Sequence, residues 1–189
     1  MAQRRAYTKS KQPSEYESKV IEIRRVSRVV QGGRRFSFRA TVVAGNRMGK
    51  VGIGVAKGQD VSQAVEKATR LATKGVANIP LSKVYGIPHE VEGKFSAAYI
   101  RIKPTRAGRG IIAGGAARFV LALAGFKDAT AKILSRSGNK LNVARATLEA
   151  LKKLTPTQKA RDFNPSVGVT KNQTENMKAE KIISPQGDT

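Results

Sequence analysis

Residues 20–58 read VIEIRRVSRVVQGGRRFSFRATVVAGNRMGKVGIGVAKG, and this stretch decides the fold of the first half. Val20–Val30 is β-branched and apolar with Arg24, Arg25 and Arg28 interleaved, which is strand composition. Its alternation slips near Arg25, where a bulge is expected. Gln31-Gly32-Gly33-Arg34 then separates two strand-like runs and predicts a hairpin, because the tight turns joining such strands need positive φ. In the next run Phe36, Phe38, Ala40 and Val42 point one way, and Arg35, Ser37, Arg39 and Thr41 the other. A second turn at 44–49 (AGNRMG) leads to Val51, Ile53 and Val55 alternating with Gly52, Gly54 and Ala56. Each strand glycine costs about 0.5–1 kcal/mol relative to alanine. A strand face with almost no side chains therefore implies close approach of another backbone, either protein or nucleic acid.

Outward from this stretch, 60–74 is amphipathic. Val61, Ala64, Val65, Ala68, Leu71 and Ala72 form one stripe, Asp60 can cap the start, and Gly75 follows the end. The order β-β-β-α makes a small sheet with one helix across one face. Further on, 78–81 and 84–91 read as extended and 98–103 as a strand. Residues 104–110 form a basic glycine-containing loop, and 114–124 a buried helix ending at Gly125. A strand over 129–135 and a helix over 142–154 complete a second α+β unit. The expected fold class is α+β in two small domains. Residues 1–14 form a basic tail, 15–80 the first domain, 81–154 the second (a sheet with two helices), and 155–189 a polar tail.

Among the 189 residues, 36 Lys and Arg face 13 Asp and Glu, a formal charge of +23. Both presumptive domains carry a large basic excess. A body so charged repels itself and calls for a polyanion. The most apolar stretch, 110–126, contains Arg118 and four glycines and is too short to span a bilayer, so no membrane partner is expected. Without Cys, and with His89 alone, neither thiolate chemistry nor a multi-histidine metal site is available within the chain. His89 has no motif partner and reads as structural or surface. No carboxylate pair suggests acid–base catalysis.

Two glycine strings invite nucleotide readings. Gly45-x-x-x-Gly49-Lys50-Val51 is one residue short of a phosphate-binding loop and lacks its hydroxyl. Residues 108–113 (GRGIIA) between a strand and a helix resemble a dinucleotide turn, with Asp128 near the place of a ribose-binding acid. The strand before it should be antiparallel, however, and no second βαβ half follows. A nucleotide-binding phosphotransferase using 108–115 stays as the alternative function. The sharper feature is the hairpin tip, where Arg28, Arg34 and Arg35 flank Gly32-Gly33. Arginine forks pair with phosphate and stack on bases, so the tip reads as a finger into folded RNA. Arg24, Arg25, Arg47, Lys50, Lys57, Arg106 and Arg109 are the other expected RNA contacts.

Several ordered motifs carry a family resemblance. They are 25–34 (RVSRVVQGGR), 50–57 (KVGIGVAK), 87–89 (IPH), 108–115 (GRGIIAGG) and 142–147 (NVARAT), within a match from about Tyr16 to Leu154. The chain resembles the bacterial-type family of the fifth protein of the small ribosomal subunit. That resemblance implies a first domain like a double-stranded-RNA-binding fold without its first helix, and a second like a fold also seen in some small-molecule kinases. It implies small-subunit rRNA and the fourth and eighth small-subunit proteins as partners, no cofactor and no small-molecule substrate. It further implies a cytoplasmic place in the ribosome and a part in assembly and decoding accuracy. It assigns Ser27, Gln31, Gly32 and Gly33 to the rRNA helix that binds spectinomycin, and Gly110 and Arg118 to the contact with the fourth protein. Against the family pattern, Gln31 stands where Lys is usual, Arg47 where Gly is usual and Arg109 where Thr is usual.

Overall fold

A computed structural model of the chain describes residues 15–81 and 86–155. Two long strands, β1 (Glu17–Val30) and β2 (Gly33–Gly45), pair antiparallel, and β3 (Lys50–Gly58) pairs antiparallel to β2. Helix α1 (Val61–Lys74) returns across this sheet, and β4 (Val76–Asn78) adds a short edge beside residues 50–52 of β3. The order is β1-β2-β3-β4. The second sheet, ordered β5-β6-β8-β7, consists of β5 (Val91–Phe95), β6 (Ala98–Lys103), β7 (Ile111–Ile112) and β8 (Ala129–Ile133). Helices α2 (Gly115–Ala124) and α3 (Lys140–Lys152) complete it. The fold is α+β, as expected.

The glycine face of β3 is explained by α1. A Cβ at Gly52 or Gly54 would lie well inside 3.0 Å of the α1 backbone, at the carbonyls of Ala72 and Ala68. The alanine stripe Ala64, Ala68 and Ala72 is fully buried there. The approaching backbone is therefore protein. Asp60 caps α1 by accepting from the Val61 amide at 2.7 Å and the Ser62 hydroxyl at 2.5 Å. The second sheet repeats the device: Gly93 in β5 meets the α3 backbone at Ala146.

Three expectations need correction. The bulge in β1 lies between Val20 and Glu22, not near Arg25, so the register through the arginines is regular. Helix α3 starts at Lys140, with Asn139 accepting from the Leu141 amide at 3.2 Å, two residues before the expected start. Strand β5 escaped notice because Gly93 interrupts the alternation of Val91 and Phe95 where a side chain would hit α3. Of the extended run expected at 84–91, Val84 and Tyr85 lie outside the described residues; Gly86 makes a parallel bridge to Asp128.

Helix α2 is apolar nearly all round, the mark of a buried helix. Ala116, Ala117, Val120, Leu121, Leu123 and Ala124 are all buried. One core cluster joins them to Ile100 and Ile102 of β6, Leu151 of α3, and Val43 and Val51 of the first sheet. The inner half of β2 is thus covered on both faces. Ala40 and Val42 lie against Ala64 and Ala68 of α1, and Val43 joins the cluster that contains α2.

Candidate nucleic-acid interface

Arg25 is paired with Phe38, the last β2 residue opposite β3 at Gly58. From Val26 to Ser37 the chain is therefore a two-stranded ribbon with no third strand among the described residues. Cross-strand pairing sets Arg28 opposite Arg35 and Arg24 opposite Arg39. Side chains alternate faces along a strand, so these four arginines share one face of the ribbon. Directly opposed like charges are destabilising by themselves. Glu22 answers Arg24 at 3.0 Å; among the described residues, no carboxylate pairs with Arg28, Arg34 or Arg35. The other face is amphipathic. The Arg25 guanidinium lies 3.8 Å from the centroid of the Phe36 ring, itself 50% exposed, and Val29 is 74% exposed. Gln31 and Gly32 form the turn, with Gly32 at φ 88°.

The structure gathers Ser27, Arg28, Gln31, Gly32, Gly33, Arg34 and Arg35 into this ribbon and sets Arg24 and Arg25 at its base. Lys57 sits at its base, opposite Arg39. Arg47 and Lys50 do not belong with them. They lie at the other end of β2, roughly 40 Å away at the rise of an extended strand. Arg47 pairs with Glu17 at 2.6 Å, and the Lys50 amide donates to Asn46 Oδ1 at 3.1 Å. Arg106 and Arg109 stand exposed in the loop before β7, with the Arg109 amide donating to the Arg106 carbonyl at 3.3 Å. Gly110 ends that loop, and Arg118 is exposed on the first turn of α2. Arg39 and Phe36 are the residues of the ribbon that sequence reasoning missed as candidates. The signal was present, since Arg39 continues the alternation through Arg35 and Phe36 sits two positions from Phe38.

The glycine loop is not built for a nucleotide. Gly108 and Gly110 are left-handed (φ 84° and 77°), but the Gly110 amide donates to Asp128 Oδ1 at 2.7 Å. A carboxylate holds the donor that a phosphate would need. Strand β6, before the loop, is antiparallel to both β5 and β8, which a dinucleotide fold does not allow. Likewise the turn at 45–49 is folded onto its own Asn46, whose Oδ1 accepts from Met48 as well as Lys50.

Among the described residues no cluster of three or more potential ligands could hold a metal ion, and no helix is long and apolar enough to cross a membrane. His89 is half-buried. Carboxylates gather instead on the second sheet. Glu92 accepts from the Tyr99 hydroxyl and from Arg101 Nε at 2.5 Å, and Glu90 lies 3.2 Å from Arg101 and 3.5 Å from Lys103. The Tyr99 hydroxyl and then Arg101 hold the Glu92 carboxyl below its ordinary value, while the bond to Glu92 raises both Tyr99 and Arg101.

Two family profiles match the chain: "Ribosomal protein S5, N-terminal domain" over residues 16–80 and "Ribosomal protein S5, C-terminal domain" over 93–162. Small ribosomal subunit protein uS5c of Gracilaria tenuistipitata var. liui is 46% identical over 156 residues, 81% of this chain and 90% of that protein. Small ribosomal subunit protein uS5 of a Picosynechococcus species is 49% identical over 152 residues, covering 80% of this chain and 87% of that protein. The Emiliania huxleyi uS5c is 47% identical over 140 residues, 74% of this chain and 87% of that protein.

Proposed function

The chain belongs to the ribosomal protein S5 family, and on that premise we propose that the β1–β2 ribbon is its principal hold on rRNA. As a member of that family it is a structural, non-enzymatic constituent of the small ribosomal subunit, with rRNA and ribosomal proteins as partners. The reading of the ribbon rests on one observation: Arg28 faces Arg35 across two strands that, among the described residues, have no third strand beside them. In the free protein that pairing is repulsive. A phosphate at each of the two forks turns repulsion into two charge-assisted contacts. Phe36, already stacked by Arg25, offers an apolar ring on the opposite face of the ribbon.

In this proposal Arg24, Arg25, Arg28, Arg34 and Arg35 contact phosphates, Ser27 and Gln31 offer side-chain hydrogen-bonding groups, and Gly32 and Gly33 bring bare backbone close to the nucleic acid. Lys57 extends the track at the ribbon's base. Arg47 and Lys50, and separately Arg106 and Arg109, are secondary contacts. Gly110, at the end of the loop before β7, and Arg118, on the first turn of α2, receive the fourth small-subunit protein, and the eighth is the other protein neighbour. Through these contacts the chain contributes to subunit assembly and decoding accuracy. The test is rRNA-fragment binding as a function of salt. Each lost phosphate contact on duplex lowers the log–log slope by about 0.9. Arg28→Ala with Arg35→Ala should flatten the slope by about two such steps and leave the protein folded. An unchanged slope overturns the assignment.

A further inference from the structure

Strand β3 has an open edge. β4 covers only Lys50–Gly52, so among the described residues Ile53–Gly58 has β2 on one side and no strand on the other. Beside this edge, between the strand and α1, runs a groove of about 610 Å³. Its floor is Ala56 and the half-exposed Leu71, and its rim carries Lys57, Lys67, Arg70 and Lys74. Glu66 meets Arg70 at 2.5 Å, while Lys57, Lys67 and Lys74 have no ion pair among the described residues.

The geometry points to a site for strand addition: an extended acidic segment of a partner protein pairs with Ile53–Gly58, setting an apolar side chain against Leu71 and carboxylates among Lys57, Lys67 and Lys74. A bare strand edge presents N–H and C=O groups alternately, and a peptide backbone satisfies both. A phosphate backbone supplies acceptors only, so it would leave the edge carbonyls facing negative oxygens. No aromatic ring lines the groove, so stacking gives a nucleic acid nothing there. The cationic rim selects the charge of the peptide. Residues 1–14 carry no acidic group, and 155–189 are nearly balanced, so neither end of this chain complements the rim. A second copy paired edge to edge would oppose lysine to lysine. This partner lies beyond the rRNA contacts of the ribbon, with Lys57 the one residue common to both; Lys67, Leu71 and Lys74 of α1 carry the site independently of the ribbon.

The test uses the full-length protein freed of nucleic acid. The probe is a fluorescein-labelled peptide of about ten residues with Thr at every second position and Glu and Val sharing the other positions, so that one face carries both carboxylates and apolar side chains, read by anisotropy and by hydrogen exchange of the protein's amides. The expected result is saturable binding that slows exchange within Ile53–Gly58. Lys67→Glu with Lys74→Glu should weaken it at least about tenfold. The charge-matched control, Lys94→Glu with Lys132→Glu on the second sheet, should leave it unchanged. Leu71→Gln, which removes the apolar floor without adding charge, provides a second variant if the first fails to fold, and it should also weaken binding. Equal weakening by the control pair, or unaltered exchange at 53–58, overturns the proposal. So does weakening of an RNA duplex of about sixteen base pairs by the helix variant while peptide affinity holds, which would give the groove to RNA. Protection of the same amides in a self-associated free protein would give the edge to a second copy and overturns it too.

Discussion

The amide of Arg47, at the tip of the turn between β2 and β3, donates to the carbonyl of Leu123 in the last turn of α2, at 2.9 Å. Gly49 does the same for the Ala124 carbonyl at 2.9 Å. The final carbonyls of a helix have no partner within it. Here a turn of the first sheet satisfies them, while the Asn46 side chain holds the turn in shape from inside. Arg47 adopts φ 58°, uncommon for a residue with a side chain, and its carbonyl lies where a Cβ on Gly125 would fall. Backbone hydrogen bonds and the apolar surface of α2 together tie the two sheets into one core.

That junction has a testable weak point. Gly125 ends α2 at φ 104° and leaves no room for a side chain. Gly125→Ala should destabilise the protein by about 1–2 kcal/mol from the left-handed backbone alone, and by more once the overlap is counted. A urea midpoint close to that of the parent protein would refute the account of the junction.

Glycines of the same chain should differ in sign. Gly54→Ala pushes a methyl into the Ala68 carbonyl and should cost about 1–3 kcal/mol through displacement of α1. Gly115→Ala, on the first turn of α2 with nothing within 4 Å, should stabilise by about 0.5 kcal/mol by restricting the unfolded chain. Equilibrium denaturation of both variants decides it; equal effects would mean that the close approach of β3 and α1 is not what the glycines serve.

Arg28→Ala should act on the free protein and on the complex in opposite directions. Removing one member of an opposed arginine pair relieves about 0.2–1 kcal/mol of repulsion. The melting temperature of the free protein should hold or rise while rRNA affinity falls. A variant that loses both stability and affinity would show Arg28 to be a packing residue.

The Glu92 network has a predictable pH response. Its carboxyl is held below the ordinary 4.5 by the Tyr99 hydroxyl and Arg101. A depressed carboxylate contributes stability above its unfolded value and loses it as pH falls through the folded value. The stability difference between the parent protein and Glu92→Gln should therefore be present at neutral pH and fade below 4.5. Tyr99→Phe should move the Glu92 titration, followed by carboxyl NMR shifts, back toward that value. No movement would mean that the tyrosine bond is not the main cause.

Much of the fold is legible in the sequence. Alternation located β2, β3 and β6, the glycine pair located the hairpin, and Asp60 with the alanine stripe located α1. The arginines of the hairpin were legible because each lies in one local run, where turn and register alone decide who faces whom. Strand β5 was not legible, because at Gly93 the determining neighbour is a helix about fifty residues later in the chain.

Local order in the chain thus determined most of the elements, the α+β class, the cationic excess and the hairpin with arginines flanking its tip, since these depend on periodicity, turn geometry and charge within a few residues. Only the tertiary structure decided that α1 fills the glycine face of β3, that Arg47 belongs to a junction with Leu123 and not to the ribbon, and that Asp128 occupies the amide of Gly110. Each of those turns on which distant backbone comes within hydrogen-bond reach, and a contact between residues far apart in the chain leaves no periodic trace in either segment.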